Sequence, residues 1–489
     1  MGPVFREVST MLRPLKILFA TSEVRPLIKT GGLADVSSSL PAALRDLGLD
    51  CRLLVPGYPA VLAQCEDLTP ISDLPVTLLG PARLLTGFMP DTRVPLYVLD
   101  APRAFQRPGG PYQDTRGQDH ADNAERFALL SQVAAQLCGP QNPINWQPDC
   151  LHCHDWQTGL APAYLHFAGR PVPSLTTIHN LAFQGVYSPS LLTTLGLPSE
   201  SFAIDGLEYY GNLSFLKAGL YYSDWITTVS PRYALEIQAE PLGMGMQGLL
   251  QQRRHQLTGI LNGIDTADWN PSSDLHLTHN FTYRAMAGKR RCKAALQTEL
   301  GLTPSAEAPL FGVVSRLTHQ KGLDWILQIA QGILTRGGQI AILGTGEPIL
   351  ESGFKQLAHQ HPQQVSAFIG YDEGLSHRIE AGADLFLMPS RFEPCGLNQM
   401  YSQRYGTLPI VRETGGLADS VTDSVDGFSF MGDTAHALWL TVERALAAYH
   451  DRPLWRRLQQ TAMRKDSGWE KSAREYAALY AQLAARAHS

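Results

Sequence analysis

Three loops of this 489-residue chain carry residue types suited to phosphate and hydroxyl oxygens. In K-T-G-G-L-A-D, at 29–35, adjacent Gly31 and Gly32 let a backbone approach a ligand closely, and a following helix N-terminus would offer free N–H groups. Lys29 adds a cation. The same six letters, T-G-G-L-A-D, recur at 414–419, but there Glu413 precedes them and would repel an anion. The first copy is therefore the phosphate candidate, and the second reads as a tight strand-to-helix turn. In R-L-T-H-Q-K-G, Arg316 and Lys321 stand five positions apart, able to bracket a diphosphate or simply to form a solvated pair. In S-R-F-E-P-C-G-L-N-Q, Glu393 can accept hydrogen bonds from sugar hydroxyls while the N–H groups of Cys395, Gly396 and Leu397 serve phosphate or hydroxyl oxygens. An acid that merely complements a helix dipole is the alternative.

These loops follow strand-like runs. KILFATS, CRLLVPGY, VPLYVLD, CLHCHDW, SLTTIHN and WITTVSP are apolar and separated by helix-length stretches, the pattern of a parallel sheet covered on both faces. A second series, LTGILNGI, LFGVVSRL, QIAILGTG, VSAFIGY, DLFLMPS and LPIVRE, predicts a second α/β sheet. The polar stretch QQRRHQ separates the series, which places a boundary at 255/256: a tail at 1–10, one domain over 11–255 and another over 256–469. Two doubly wound sheets bind ligands beyond the carboxyl ends of their strands, where these loops lie.

Composition narrows the function further. Hydrophobic residues are 44% and charged residues 17%, with a net charge of -5 and no Lys/Arg run, so no nucleic-acid partner is expected. No stretch approaches the roughly 20 apolar residues of a membrane span, and the first residues lack the apolar centre of a signal peptide, so a cytoplasmic protein without a membrane partner is expected. Cys150, Cys153 and His154 spell the C-x-x-C-H of haem attachment, but they fall in a strand, where side chains three apart face opposite ways. A nicotinamide enzyme is disfavoured because GTGEPI at 344–349 lacks the third glycine of the dinucleotide fingerprint. The chain contains no Asp-x-Asp pair, and neither a metal nor a cofactor is expected.

Taken together, SEVRPLIKTGGLADV, LVPGYP, HCHDWQTGLAPAYL, TIHNLAFQGVY, SFLKAGLYYSDWITTVSP, GILNGID, VVSRLTHQKGLD and PSRFEPCGLNQMYSQRYGTLPIVRETGGLADSV closely resemble bacterial glycogen synthases and plant starch synthases, from Leu15 to the C-terminal helix. The resemblance implies a GT-B fold, with two Rossmann-like domains facing each other across a cleft and a C-terminal helix, 470–489, completing the first. It implies transfer of glucose from ADP-glucose to the non-reducing end of an α-1,4-glucan, glycogen or malto-oligosaccharide, with retention. A donor preference for UDP-glucose, or a non-catalytic binding relative, is the alternative. The resemblance also implies roles: Lys29, Gly31 and Gly32 at the donor diphosphate, Arg316 and Lys321 as its cations, and Glu393, Cys395, Gly396 and Leu397 around the donor glucose and phosphates. His179 of H-N-L would stand beside the reacting glucose, Asp155 of H-D-W near donor or acceptor, and Asn262 of N-G-I-D at the sugar. By residue type alone, His179 fits a core histidine, Asp155 a helix N-cap and Asn262 a turn. Gln247 and His120 depart from the family pattern, which more often has an acid and an aromatic there; Tyr401 shows that the E-x7-E pattern of many other GT-B enzymes is absent, as it is in glycogen synthases. Nothing in the sequence speaks to subunit number.

Overall fold

A computed structural model describes residues 13–74, 78–170 and 172–487. The tail read at 1–10 and the last two residues of the expected C-terminal helix lie outside the described residues. The chain divides into two compact units: the first takes the chain up to Val229, Ala234–Ile260 and the segment from Trp469, and the second takes Ser230–Tyr233 and Leu261–Gly468.

The first unit contains β1 (Lys16–Ala20), β2 (Asp50–Pro56), β3 (Glu66–Leu74), β4 (Ala82–Phe88), β5 (Pro95–Asp100), β6 (Cys150–His154), β7 (Ser174–Ile178), the short β8 (Val186–Tyr187), β9 (Glu208–Tyr209) and β10 (Asn212–Ser214), then β11 (Trp225–Thr228) and β12 (Leu257–Gly259). Strands β8, β10 and β9 form a small sheet, and the others form one sheet of nine ordered β12-β11-β7-β6-β1-β2-β5-β4-β3. Pairing is parallel from β12 to β5 and antiparallel across β5-β4 and β4-β3. In β1, Ile17, Leu18, Phe19 and Ala20 are all fully buried, so both sheet faces are covered, as a run without alternation requires. The C-terminal helix, Glu470–Ala487, belongs to this unit, and its Tyr480 hydroxyl lies 2.7 Å from Nδ1 of His152 on β6. The cysteines of C-x-x-C-H are buried free thiols on the same strand.

The second unit contains β13 (Leu310–Val314), β14 (Gln339–Gly344), β15 (Val365–Ile369), β16 (Leu385–Met388), β17 (Leu408–Arg412) and β18 (Phe428–Phe430), all parallel and ordered β15-β14-β13-β16-β17-β18. Numbered within the unit, this is 3-2-1-4-5-6, the doubly wound order; the parallel part of the first sheet begins the same way, with β5, β2, β1, β6 and β7 as 3-2-1-4-5. Each sheet therefore reverses its winding at one place, between β1 and β6 in the first unit and between β13 and β16 in the second.

One sequence expectation needs correction, and two elements went unread. LTGILNGI was expected to open the second sheet, but Leu257–Gly259 pairs in parallel with β11 and closes the first. The β3-β4 ribbon was not expected, because β3 is polar, half exposed and contains Pro70, as an edge strand tolerates. The strand β18 is only three residues, too short to stand out. Among the described residues no helix is long and apolar enough to cross a membrane.

One buried acid in the second unit gives a stability test. Glu380, on helix Glu373–Gly382, is fully buried and neither carboxyl oxygen has a hydrogen-bond partner. Burial pushes its pKa well up, against the pull of Lys289. The folded chain thus holds a proton that the unfolded chain releases, so this group favours folding at acid pH and costs about 1.4 kcal/mol per pH unit above the unfolded pKa until the folded pKa is reached. Glu380→Gln removes that dependence. The stability of the variant relative to the parent, measured by denaturant unfolding, should rise between pH 5 and pH 8; a constant difference would show Glu380 ionised in the fold.

Candidate active site

In the first unit the winding reverses above β1 and β6, and four of the expected residues lie on the loops there and after β7. The loop after β1 runs to helix Gly32–Asp46, whose N-cap, Gly31, is extended (φ -156°) and makes no side-chain cap. A side-chain carbon built on Gly31 would meet nothing within 4 Å, so the space before this helix is open. The backbone just ahead is fixed by Glu23, which the sequence did not single out. Its buried carboxylate accepts from the Thr30 N–H at 2.5 Å, the Thr30 hydroxyl at 2.6 Å, the Gly31 N–H at 3.3 Å and the Tyr112 hydroxyl. Lys29 is not a bare cation. Its Nζ lies 2.9 Å from Asp35, the aspartate of the same T-G-G-L-A-D.

Asp155 directly follows β6. Its backbone is left-handed (φ 54°), uncommon for a residue with a side chain and a mark of local strain. It occupies the N-cap position of the single turn Trp156–Thr158, yet its side chain makes no cap; Oδ1 instead accepts the N–H of His179 at 2.7 Å. The two residues are thereby brought together across neighbouring strands. Burial pushes the Asp155 carboxyl up to about 7, opposed by amide hydrogen bonds from His179 and Asn180. His179 is only partly buried, with Nε2 2.9 Å from Nδ1 of His154, and desolvation brings its pKa down to about 3. At neutral pH its ring is uncharged.

In the second unit the loop after β13 carries Arg316 and Lys321, and the loop after β16 carries Glu393 to Leu397. Lys321 Nζ sits 2.5 Å from Glu393 Oε2, which also accepts the Ser390 hydroxyl at 3.0 Å. Both side chains are largely buried, so this is a preformed, desolvated pair. Arg316 is exposed and makes no ion pair among the described residues. Asn262 is buried beside Cys395, whose thiol accepts the Asn262 N–H and is pushed up to about 12 by burial. The Asn262 side-chain oxygen, itself buried, has no partner. Gly396 is left-handed (φ 71°), and Gln399 binds the carbonyls of Cys395 and Gly396, both at 3.1 Å, which ties the loop to helix Asn398–Arg404.

The second T-G-G-L-A-D lies directly beneath this loop. The Gly416 N–H donates to the carbonyls of Glu393 at 3.1 Å and Pro394 at 3.2 Å. A side-chain carbon at Gly415 would stand 1.9 Å from the Glu393 carbonyl oxygen, and one at Gly416 2.2 Å from that of Cys395. So Gly31 faces open space, whereas the space in front of Gly415 and Gly416 is filled by the protein's own backbone. Glu413 does not face the loop; its carboxylate accepts the Ser429 hydroxyl at 2.7 Å. The two departures from the family pattern are local braces: Gln247 bonds the Gly245 N–H at 2.9 Å and Glu240 at 3.1 Å, and His120 Nε2 lies 3.2 Å from the Gly110 carbonyl.

Comparison with known proteins identifies the family. Residues 16–252 match the family model described as the starch synthase catalytic domain, and residues 302–464 match that of glycosyl transferases group 1. The chain is 52% identical over 476 residues to the glycogen synthase of Dechloromonas aromatica, covering 95% of this chain and 98% of that protein. It is 51% identical over 483 residues to that of Paramagnetospirillum magneticum, covering 96% and 98%. The catalytic domain of starch synthase IV from Arabidopsis thaliana, solved bound to ADP and acarbose, superposes with a TM-score of 0.88 at 32% identity over 96% of this chain and all of that one. The sucrose-phosphate synthase of Thermosynechococcus elongatus, at 16% identity and a TM-score of 0.60 over 96% of this chain and all of that one, shares the fold. With both domain families matched in order, half of all residues identical to glycogen synthases over nearly the full length, and two Rossmann-like units in the fold, the chain belongs to the glycogen synthase family of GT-B glycosyltransferases.

Proposed function

We propose that the chain transfers glucose from ADP-glucose to the non-reducing end of an α-1,4-glucan with retention of configuration, in the cytoplasm and without a metal. The observation that carries this is the buried Lys321–Glu393 pair at the winding reversal of the second sheet. There a cation is held for the departing diphosphate, and the carboxylate beside it can accept sugar hydroxyls. The buried, unpartnered Asn262 oxygen is one further acceptor for a hydroxyl. Arg316, exposed on the loop of Lys321, adds charge that the incoming diphosphate can recruit. In the first unit the open space at Gly31 and the partly exposed Lys29 suit phosphate oxygens; the Lys29–Asp35 pair is solvent-screened and weak enough to yield. His179, neutral, can exchange hydrogen bonds with sugar hydroxyls, and Asp155 orients it through the backbone. The ADP held by the related starch synthase supports an adenine nucleotide as the leaving group.

The test is ADP release with glycogen as acceptor, comparing ADP-glucose with UDP-glucose; a chain that turns over UDP-glucose better would overturn the donor assignment. In the same assay Glu393→Ala should lower turnover at least tenfold, about 1.4 kcal/mol of barrier, in a variant that still folds but melts at a lower temperature, because buried Lys321 loses its partner. A variant within threefold of the parent would remove Glu393 from the site.

The two glycine pairs should respond differently. Gly31→Ala has room for its methyl and should fold normally while raising the donor KM. Gly416→Ala drives its methyl into the Cys395 backbone and should lower turnover at least tenfold, about 1.4 kcal/mol, and depress the melting temperature as well. Equal responses in turnover, KM and melting temperature would refute the distinction.

Because the second unit brings its own cations in Arg316 and Lys321, EDTA should leave the rate within about twofold, whereas Lys321→Ala should cost at least about tenfold. Inactivation by EDTA that magnesium reverses would show that a metal supplies the charge instead.

A further inference from the structure

Behind His179 stands a row of buried imidazoles that none of these roles uses. Side chains two apart on a strand share a face, so His152 and His154 of β6 lie side by side, with ring centroids 4.0 Å apart. Both are fully buried. His152 is held at both ring nitrogens, by the Tyr480 hydroxyl of the C-terminal helix at 2.7 Å and by the Thr177 hydroxyl of β7 at 2.6 Å. Phe19 of β1 packs on His154 with centroids 4.0 Å apart. Against these two rings His154 has little room to turn.

His154 spends only one of its nitrogens. Nδ1 lies 2.9 Å from Nε2 of His179, whereas its own Nε2 is buried and has no partner. A buried polar atom left unmet costs stability, and an apolar side chain of similar size would avoid that cost. Packing alone therefore does not account for a histidine here. The use lies at the other nitrogen. Burial lowers the pKa of both imidazoles, so the contact joins two neutral rings, one donating and one accepting. His179 is thus fixed twice, at ring Nε2 by His154 and at its backbone N–H by Asp155 Oδ1 at 2.7 Å. Only partly buried, it has Nδ1 as the ring nitrogen left for a ligand.

We infer that His154 is a positioning residue for the transfer: it grips Nε2 of His179 and so turns Nδ1 toward the sugar at the reacting centre. This role rests on the transfer reading above, in which His179 meets that sugar. Through Tyr480 and His152, the C-terminal helix braces the far end of the row.

The experiment compares the full-length parent with His154→Leu, which fills the space without a hydrogen-bonding group, and His154→Asn, which keeps a nitrogen close to where Nδ1 stands. In ADP release from ADP-glucose with glycogen, His154→Leu should lower kcat at least tenfold and leave the donor KM within twofold, because orientation at the reacting carbon is felt in the transition state. It should melt no lower than the parent, since the unmet Nε2 is gone and the partly exposed His179 can turn to water. His154→Asn should recover at least a third of the parental kcat. A residue needed only for packing would lose activity and stability together. That outcome, a kcat for His154→Leu within threefold of the parent, or no recovery in His154→Asn would overturn the inference. The ring 15N resonances of His179, assigned by their loss in His179→Ala, read the contact without turnover, and the Nε2 resonance should move in His154→Leu. A parent that releases no ADP yet shows this movement would overturn the transfer reading and leave the grip of His154 on His179 standing; an unmoved Nε2 would overturn the inference whatever the rate.

Discussion

No side chain fits on Gly416. That constraint lets the backbone of Glu393–Cys395 rest directly on the turn after β17, and from this contact follow the path of the loop, the left-handed Gly396 and the burial of Glu393. A loop held by its own backbone can present a carboxylate and a thiol at fixed positions without further anchoring by those side chains. Gln399 completes the fixation by binding two carbonyls of the same loop. Glu393 and the N–H groups of its loop are therefore held in place before any ligand arrives, the condition under which dipoles and charges act on a reacting centre without reorganisation.

Electrostatically the loops of the two units follow different strategies. Around β1, acids occupy the loop's own groups: Glu23 takes the amides of Thr30 and Gly31, and Asp35 holds Lys29. Around β13 and β16, one buried cation and one buried carboxylate neutralise each other. In both cases charge is kept in place by a partner that a more strongly charged ligand can displace or share. A lone buried charge would cost several kcal/mol, and the pairing avoids that cost while keeping each group in its place.

Much of this was legible in the sequence. The apolar runs of β1, β2, β5, β6, β7 and β11 and of β13 to β17 are continuous, so the parallel sheets could be read directly, and the loops after them carried the unusual residues. The β3-β4 ribbon was hidden because an exposed edge strand has the composition of a loop. Glu23 was missed because an acid three residues past a strand looks like any surface acid until Thr30 and Tyr112 are seen to converge on it. The second glycine pair could be read as a turn, but not as the seat of the Glu393 loop, since that contact joins segments more than twenty residues apart. Glu413 separated the two copies in the sequence, yet its charge faces Ser429, away from the loop, and the copies are distinguished by what fills the space in front of them.

The segment from Trp469 completes the first unit although Leu261–Gly468 is made before it. During synthesis the β6 face that receives Tyr480 must wait, uncovered, while those intervening residues emerge, about 10–40 s at about 5–20 residues per second. The second unit has all of its own strands by then and can finish first. The nascent first unit is thus the aggregation-prone partner, with His152 and its apolar neighbours open to other chains until the final helix leaves the ribosome.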